Sequence, residues 1–158
     1  MKNENVSIYP QYDRWSYLWL VIGGALMIFT AGNWPLSLAA WLGPLFMLRF
    51  MRSQKLLKGF LLSAAGVGIA YTIAFQGSAS PAIMPLPLFG ALLGVMYGLL
   101  FLVDRLLVQR LPEQGAASFA GTLVFPCLMA GYELLWFNKL LFGSSGSWAY
   151  SLQSNLVL

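Results

Sequence analysis

Residues 86–103 read LPLFGALLGVMYGLLFLV, an apolar run without a single charged side chain. A strand of a membrane barrel would alternate apolar and polar residues over about ten positions. This run is instead continuous, and its length suits a helix that crosses a ~30 Å hydrocarbon core. Backbone groups in lipid must be paired within the structure, which a helix achieves by itself. The run therefore predicts a transmembrane helix in an all-α protein.

Four more apolar blocks extend this prediction along the chain. With the run above, which belongs to the fourth, the five blocks are Trp15–Ala31, Pro35–Met51, Gly59–Phe75, Met84–Val103 and Ala117–Phe137. The 158 residues are 59% hydrophobic and 9% charged, whereas a soluble domain carries about 25% charged residues. We predict a polytopic membrane protein of about five transmembrane helices over residues 15–137, in which helices 1 and 2 form a short hairpin.

Lysine and arginine in short loops mark the cytoplasmic side of a membrane protein. The connection after block two holds only cations, and the connection after block four holds two cations against two acids, while the loops 32–34 and 76–83 are uncharged. The cations are Arg49, Arg52, Lys55 and Lys58 in the first case, and Arg105 and Arg110 in the second. We therefore predict a cytoplasmic N-terminal tail, 1–14, and an external C-terminal segment, 138–158.

Arg49, Arg52, Lys55 and Lys58 recur at every third position and have two interpretations. They act only as the topology signal, or they also attract anionic lipid head groups at about 1 kcal/mol per cation near the surface. We exclude nucleic acid as a partner, because the pI of about 9.4 comes from loop cations and not from a basic face of a soluble domain.

Gly90, Gly94 and Gly98 lie four residues apart in the fourth block, so one side of that helix presents only small residues. Small residues at this spacing let two helix backbones approach closely in lipid. The partner is either another helix of the same chain or a second copy, and the pattern serves both.

Few side chains suggest chemistry. The absence of histidine and the single cysteine exclude Ser/His/Asp triads and Cys/His metal clusters, and we predict no metal and no cofactor. Cys127 is expected to pack in the interior. Glu133 is the only acid within a predicted span, which makes it a functional candidate. The alternative is a structural carboxylate at the interface, with Lys139 as a candidate counter-ion.

Residues 122–136, TLVFPCLMAGYELLW, and 146–151, GSWAYS, resemble the corresponding part of bacterial apolipoprotein N-acyltransferases. In that family a kinking proline precedes a membrane-end glutamate by about two turns, and an external loop with a Gly/Ala-Tyr-Ser pattern follows. The segments 33–36, NWPL, and 41–50, WLGPLFMLRF, are similar to the first hairpin of the family.

The resemblance implies a location in the bacterial inner membrane and a larger architecture of eight helices. It also implies an external nitrilase-like domain, of the carbon-nitrogen hydrolase superfamily, whose Glu/Lys/Cys triad moves an acyl chain from a phospholipid to a lipoprotein N-terminus. No catalytic residue of that triad has a counterpart in this chain. Glu133, Trp148 and Tyr150 correspond instead to the surface beneath that domain, and residues 138–158 to the approach to a sixth helix.

We therefore expect the N-terminal membrane domain of an N-acyltransferase-like protein of lipoprotein maturation, inactive alone. Its expected partners are membrane lipid and a separately encoded nitrilase-like domain or a lipoprotein precursor. The alternative is a non-enzymatic membrane scaffold or transporter component that associates through Gly90, Gly94 and Gly98. A self-contained enzyme that relies on Glu133 is the weakest of the three interpretations.

Overall fold

The computed structural model describes residues 14–77, 84–111 and 116–139, with side chains of the last range described from 119 to 135. Over these residues the chain forms five helices and no strand. They are α1 (Ser16–Met27), α2 (Ser37–Ser53), α3 (Leu56–Ala74), α4 (Leu86–Val108) and α5 (Ala116–Lys139). The prediction of an all-α fold is confirmed for the described residues. By length and composition, α3 and α4 qualify as membrane-crossing helices, and α1 and the Phe119–Leu135 part of α5 are apolar but shorter.

The first helix is shorter than its apolar block. Regular α-helix ends at Met27, and the N–H groups of Ile28, Phe29 and Thr30 donate to carbonyls only three residues back. These tighter turns carry the chain to the reversal, where Gly32 adopts a left-handed φ of 82° that favours glycine. The second helix begins at Ser37, two residues after the start of its apolar block at Pro35.

The hairpin of α1 and α2 is held together by two methionines that fit against two glycines. A Cβ atom on Gly23 of α1 would lie 2.9 Å from the sulfur of Met47 in α2, and one on Gly43 of α2 would lie 3.3 Å from the sulfur of Met27 in α1. Both methionine side chains are fully buried. The predicted short hairpin of the first two helices is therefore present, and methionine fills its irregular gaps.

The loop of this hairpin rests on the end of α3. The N–H of Asn33 donates to the carbonyl of Ala74 at 3.1 Å, and its side-chain amide donates to the carbonyl of Gln76 at 2.5 Å. A Cβ atom on Gly32 would collide with the Ala74 carbonyl. Carbonyls at a helix C-terminus lack partners within the helix, so the loop satisfies those of α3 and joins the hairpin to the bundle.

The most extensive helix contact is the antiparallel one between α3 and α4. Here Gly90 meets the carbonyl of Gly68, Gly94 meets the backbone of Ala64 and Gly68, and Gly98 meets Ala64 and Phe60. All three glycines are buried. The small face of the fourth helix thus packs within the chain, and at Gly94 the closest neighbours are all backbone atoms.

The fifth helix is attached along one side only. Among the described helices, α5 packs only against α4, through Phe125 stacked on Phe101 with ring centroids 5.4 Å apart and through Met129, which is 7% exposed. Cys127 is exposed on this helix, contrary to the expectation that it packs in the interior, because the side of α5 turned away from α4 meets no other described helix.

We predict that Gly94→Ala lowers the free energy of unfolding in detergent by about 1–3 kcal/mol, as overpacking does in a rigid core. The added methyl group would meet the backbone N of Gly68 at 2.8 Å, and backbone cannot move aside cheaply. Gly131→Ala on α5 is the matched control, because a Cβ atom there meets nothing within 4 Å. Its effect should stay below ~1 kcal/mol, the scale of helix propensity. Equal effects of the two variants would contradict the close approach of α3 and α4.

Candidate functional site

A network of polar side chains joins the N-terminus of α1, the C-terminus of α2 and the C-terminal part of α4. At its centre, Arg52 donates to Oδ2 of Asp104 from Nη2 at 2.5 Å and from Nε at 3.1 Å. Asp104 is 0% exposed and the Arg52 side chain 28%. An ion pair with one member fully out of water is weak evidence for net stability, but removing one partner leaves a costly buried charge.

The second carboxylate oxygen of Asp104 differs from the first in its hydrogen bonding. Oδ1 of Asp104 is buried and has no hydrogen-bond partner among the described residues. A buried acceptor without a donor destabilises the fold by about 1–3 kcal/mol, so the site retains Asp104 at an energetic disadvantage.

The neighbouring Arg105 caps the C-terminal end of α2. Its Nη1 donates to the carbonyls of Met51 at 2.8 Å and Gln54 at 2.5 Å. Carbonyls in the last turn of a helix lack partners within the helix and carry partial negative charge. The Arg105 guanidinium of α4 therefore supplies these carbonyls with hydrogen-bond donors and a positive charge. It also fixes the position of the end of α2 along α4.

Three uncharged side chains extend the network to α1. Gln54 donates to Oγ of Ser16 at 2.6 Å, and the hydroxyls of Ser16 and Ser53 lie 2.9 Å apart. Ser16 is the first residue of α1 and is 0% exposed. The polar network comprises Ser16, Arg52, Ser53, Gln54, Asp104 and Arg105, and we use this name for it below.

The four cations that recur at every third position are divided between two helices and the connection between them. Arg49 and Arg52 belong to α2, Lys58 belongs to α3, and only Gln54 and Lys55 lie between the helices. Arg52 turns inward to Asp104, while the Arg49 guanidinium lies 4.6 Å from the centre of the Trp19 ring on α1. The four cations therefore do not form one surface, because both helices extend further into the connection than their apolar blocks do.

Tyrosines form a second buried group towards the other end of the bundle. Tyr71 of α3 and Tyr97 of α4 are stacked with ring centroids 5.2 Å apart, and Tyr132 of α5 lies 5.6 Å from Tyr97. The Thr30 hydroxyl is 3.3 Å from that of Tyr71. This stack brings polar atoms of four segments into an otherwise apolar core, where tyrosine hydroxyls require hydrogen-bond partners.

Glu133 follows Tyr132 in α5 and is half-buried. It lies six residues before the end of that helix at Lys139, whose side chain is outside the described residues. Trp148 and Tyr150 lie beyond the described range as well. Of the three residues that the family resemblance singles out, the structure therefore describes only Glu133.

The polar network was not predicted, although the sequence contains its signal. Asp104 and Arg105 were assigned to a loop, whereas α4 continues to Val108. Counted along α4, Gly94, Gly98 and Phe101 share a face with positions 104 and 105 through spacings of three and four residues. A charge that continues a buried helical face is a stronger functional signal than a charge in a loop.

The described residues contain no group of three or more His, Cys, Asp or Glu side chains that would hold a metal ion. Comparisons with protein-family models, with curated proteins and with solved structures found no match for this chain.

We predict that Asp104→Leu lowers the free energy of unfolding by about 3 kcal/mol, towards the lower part of the range for a broken buried ion pair, because Arg52 retains some contact with solvent. In the double variant with Arg52→Met the loss should be smaller than the sum of the two single losses by at least about 1 kcal/mol. Arg49→Met, which removes an exposed cation from the same helix, is the control. Additive single losses in this cycle would show that the pair is not coupled.

Proposed function

We propose that this chain is the membrane domain of an apolipoprotein N-acyltransferase-like protein in a bacterial cytoplasmic membrane. The observation that carries the proposal lies in α5, where the segment that resembles the family forms one helix. Pro126 is inside this helix, and Glu133 is half-buried two turns later. The chain would hold lipid and provide the seat for an external nitrilase-like domain.

Five membrane spans are part of this proposal. At a rise of about 1.5 Å per residue, α3, α4 and α5 measure roughly 28, 34 and 36 Å. The regular part of α1 covers only about 18 Å by the same rise, but the tight turns to Thr30 extend it. Trp15 and Trp34 are 59% and 54% exposed at the two ends of this segment, and exposed tryptophan favours membrane interfaces.

The outward surface of the helices supports a lipid environment. Large apolar side chains more than half exposed occur on every helix, whereas soluble monomers rarely expose contiguous apolar patches above a few hundred Å². They include Val21, Leu38, Trp41, Leu57, Leu61, Ile69, Leu88, Phe119, Leu134 and Leu135.

Charge supports the proposed orientation. The cations of α2, α3 and α4 lie at the end of the bundle that contains the polar network, whereas Glu133 lies towards the opposite end of α5. By the positive-inside rule the polar network faces the cytoplasm and Glu133 faces the external side. An external catalytic domain would then meet the end of the bundle at which Glu133 lies.

The structure favours this proposal over a scaffold that associates through the glycines of α4. Gly90, Gly94 and Gly98 are buried against α3, so that face is not available to a second protein. We assign the acyl-transfer chemistry to the partner domain, as the family resemblance implies, and propose that the chain is inactive alone.

The orientation is tested by labelling single cysteines with a membrane-impermeant maleimide. In a Cys127→Ser background we expect Gln76→Cys, at the external end of α3, to react in intact spheroplasts. Lys55→Cys, at its other end, should react only after lysis. The unsubstituted Cys127→Ser chain measures the background. Labelling of both positions in intact spheroplasts would show that α3 does not cross the membrane, and the inverse pattern would reverse the orientation.

The partner is tested by co-expressing the tagged chain with a nitrilase-like polypeptide and purifying both in mild detergent. We expect the two to co-purify, and Glu133→Gln to reduce retention about tenfold, which corresponds to the loss of one hydrogen bond to a charged group. Cys127→Ser is the control, since its thiol is exposed on the same helix. Failure of the polypeptide to co-purify with the unaltered chain would contradict the proposed seat.

A further inference from the structure

The cytoplasmic end of the bundle is more strongly positive than its sequence suggests. Asp104 is the only acid described at this end, and its charge is buried against Arg52. The cations that remain exposed there are Arg14, Arg49, Lys55, Lys58 and Arg110. Within the described part of the chain, this end therefore presents cations to the membrane surface without an exposed carboxylate among them.

One of these cations, Lys58, is hydrogen-bonded to a tyrosine hydroxyl. Nζ of Lys58 on α3 donates to the hydroxyl oxygen of Tyr17 on α1 at 2.5 Å, and it lies 5.2 Å from the centre of the tyrosine ring. An ammonium has three N–H donors, and a phenol that accepts one hydrogen bond still has its own proton to donate. Both residues are exposed, so the pair presents several donors at one point.

Lys55 adds a second positive charge at the same end of α3. It is the N-cap residue of α3, three residues before Lys58 in the chain, and its side chain is exposed at the same helix end. Trp15 is 59% exposed two residues before Tyr17. Aromatic rings at a helix end favour the head-group level of a bilayer.

We propose that Tyr17, Lys55 and Lys58 form a binding site for the phosphate of an anionic phospholipid on the α1–α3 side of the bundle. Two ammonium groups and a phenol O–H match a phosphodiester monoanion, which offers only acceptors. Arg49 contacts Trp19 instead, and Arg52 is engaged by Asp104, so neither belongs to the site.

Inorganic phosphate offers the same chemistry, but the surroundings favour a lipid. One turn beyond Tyr17 and Lys58, towards the centre of the bilayer, Val21 and Leu61 are 66% and 55% exposed. These side chains provide an apolar surface for acyl chains directly below the donors. The inference requires only that this end of α1 and α3 lies at the bilayer surface, and it does not depend on a nitrilase-like partner.

The site is tested by titrating phosphatidylglycerol into the purified full chain in zwitterionic detergent and measuring the apparent Kd by native mass spectrometry. Phosphatidylcholine, whose phosphate charge is balanced by its own quaternary ammonium, is the reference. We expect Lys58→Gln to raise the Kd about tenfold, as the loss of one hydrogen bond to a charged group does. Tyr17→Phe keeps the ring and removes the hydroxyl, and should raise the Kd about threefold, as the loss of one net hydrogen bond does. Unchanged unfolding temperatures would show that these exposed substitutions leave the fold intact.

Arg110→Gln is the matched control, because it removes an exposed cation at the same end of the bundle but beyond α4. Its effect should stay below about twofold, since Arg110 lies outside the site and the zwitterionic detergent lacks the anionic surface on which the general attraction depends. The proposal would be wrong if Arg110→Gln weakened binding as much as Lys58→Gln, or if Tyr17→Phe had no effect. Either result would mean that the cations attract the lipid only through non-specific electrostatic attraction. Competition by inorganic phosphate at equal concentration would also overturn the proposal, because the ligand would then come from solution.

Discussion

The close approach of α3 and α4 is the constraint on which the bundle depends. Gly68 of α3 is packed against the backbone of Gly90 and Ala91 in α4, and two helices that approach so closely gain van der Waals contact along their whole length. Within lipid no hydrophobic force draws apolar helices together, so contact of this kind has to supply much of the association energy. The α1–α2 hairpin then joins an already defined surface through its loop on Ala74.

The polar network complements this contact at the other end of α3. Apolar packing alone tolerates a sliding of one helix along another, because its energy varies little with register. Arg105 on the carbonyls of Met51 and Gln54, and Arg52 on Asp104, fix one register between α2 and α4. The burial of Asp104 also removes a negative charge from the surface, and this links the packing of the helices to the charge at this end of the bundle.

Sequence reasoning predicted the helical class, the five helices of the described residues and the hairpin, because long uninterrupted apolar blocks do not suit strands that alternate apolar and polar residues. It predicted helix ends less well, because apolar character and helical geometry do not end together: α1 stops at Met27 within its block, and α4 continues past Val103 to Val108. The polar network depends on these ends, and it was missed for that reason. The inward turn of Arg52 could not be predicted without knowing that Asp104 is buried, since both appear in the sequence as loop charges.

The attachment of α5 along one side has a consequence for the order in which the protein is built. Helices α1 to α4 close their shared core and the polar network among themselves, while α5 adds contacts to α4 alone. Synthesis proceeds from the N-terminus, and domains generally fold as units as they emerge. A four-helix unit can therefore assemble before α5 joins it, and α5 can dissociate from it with the loss of only one described interface.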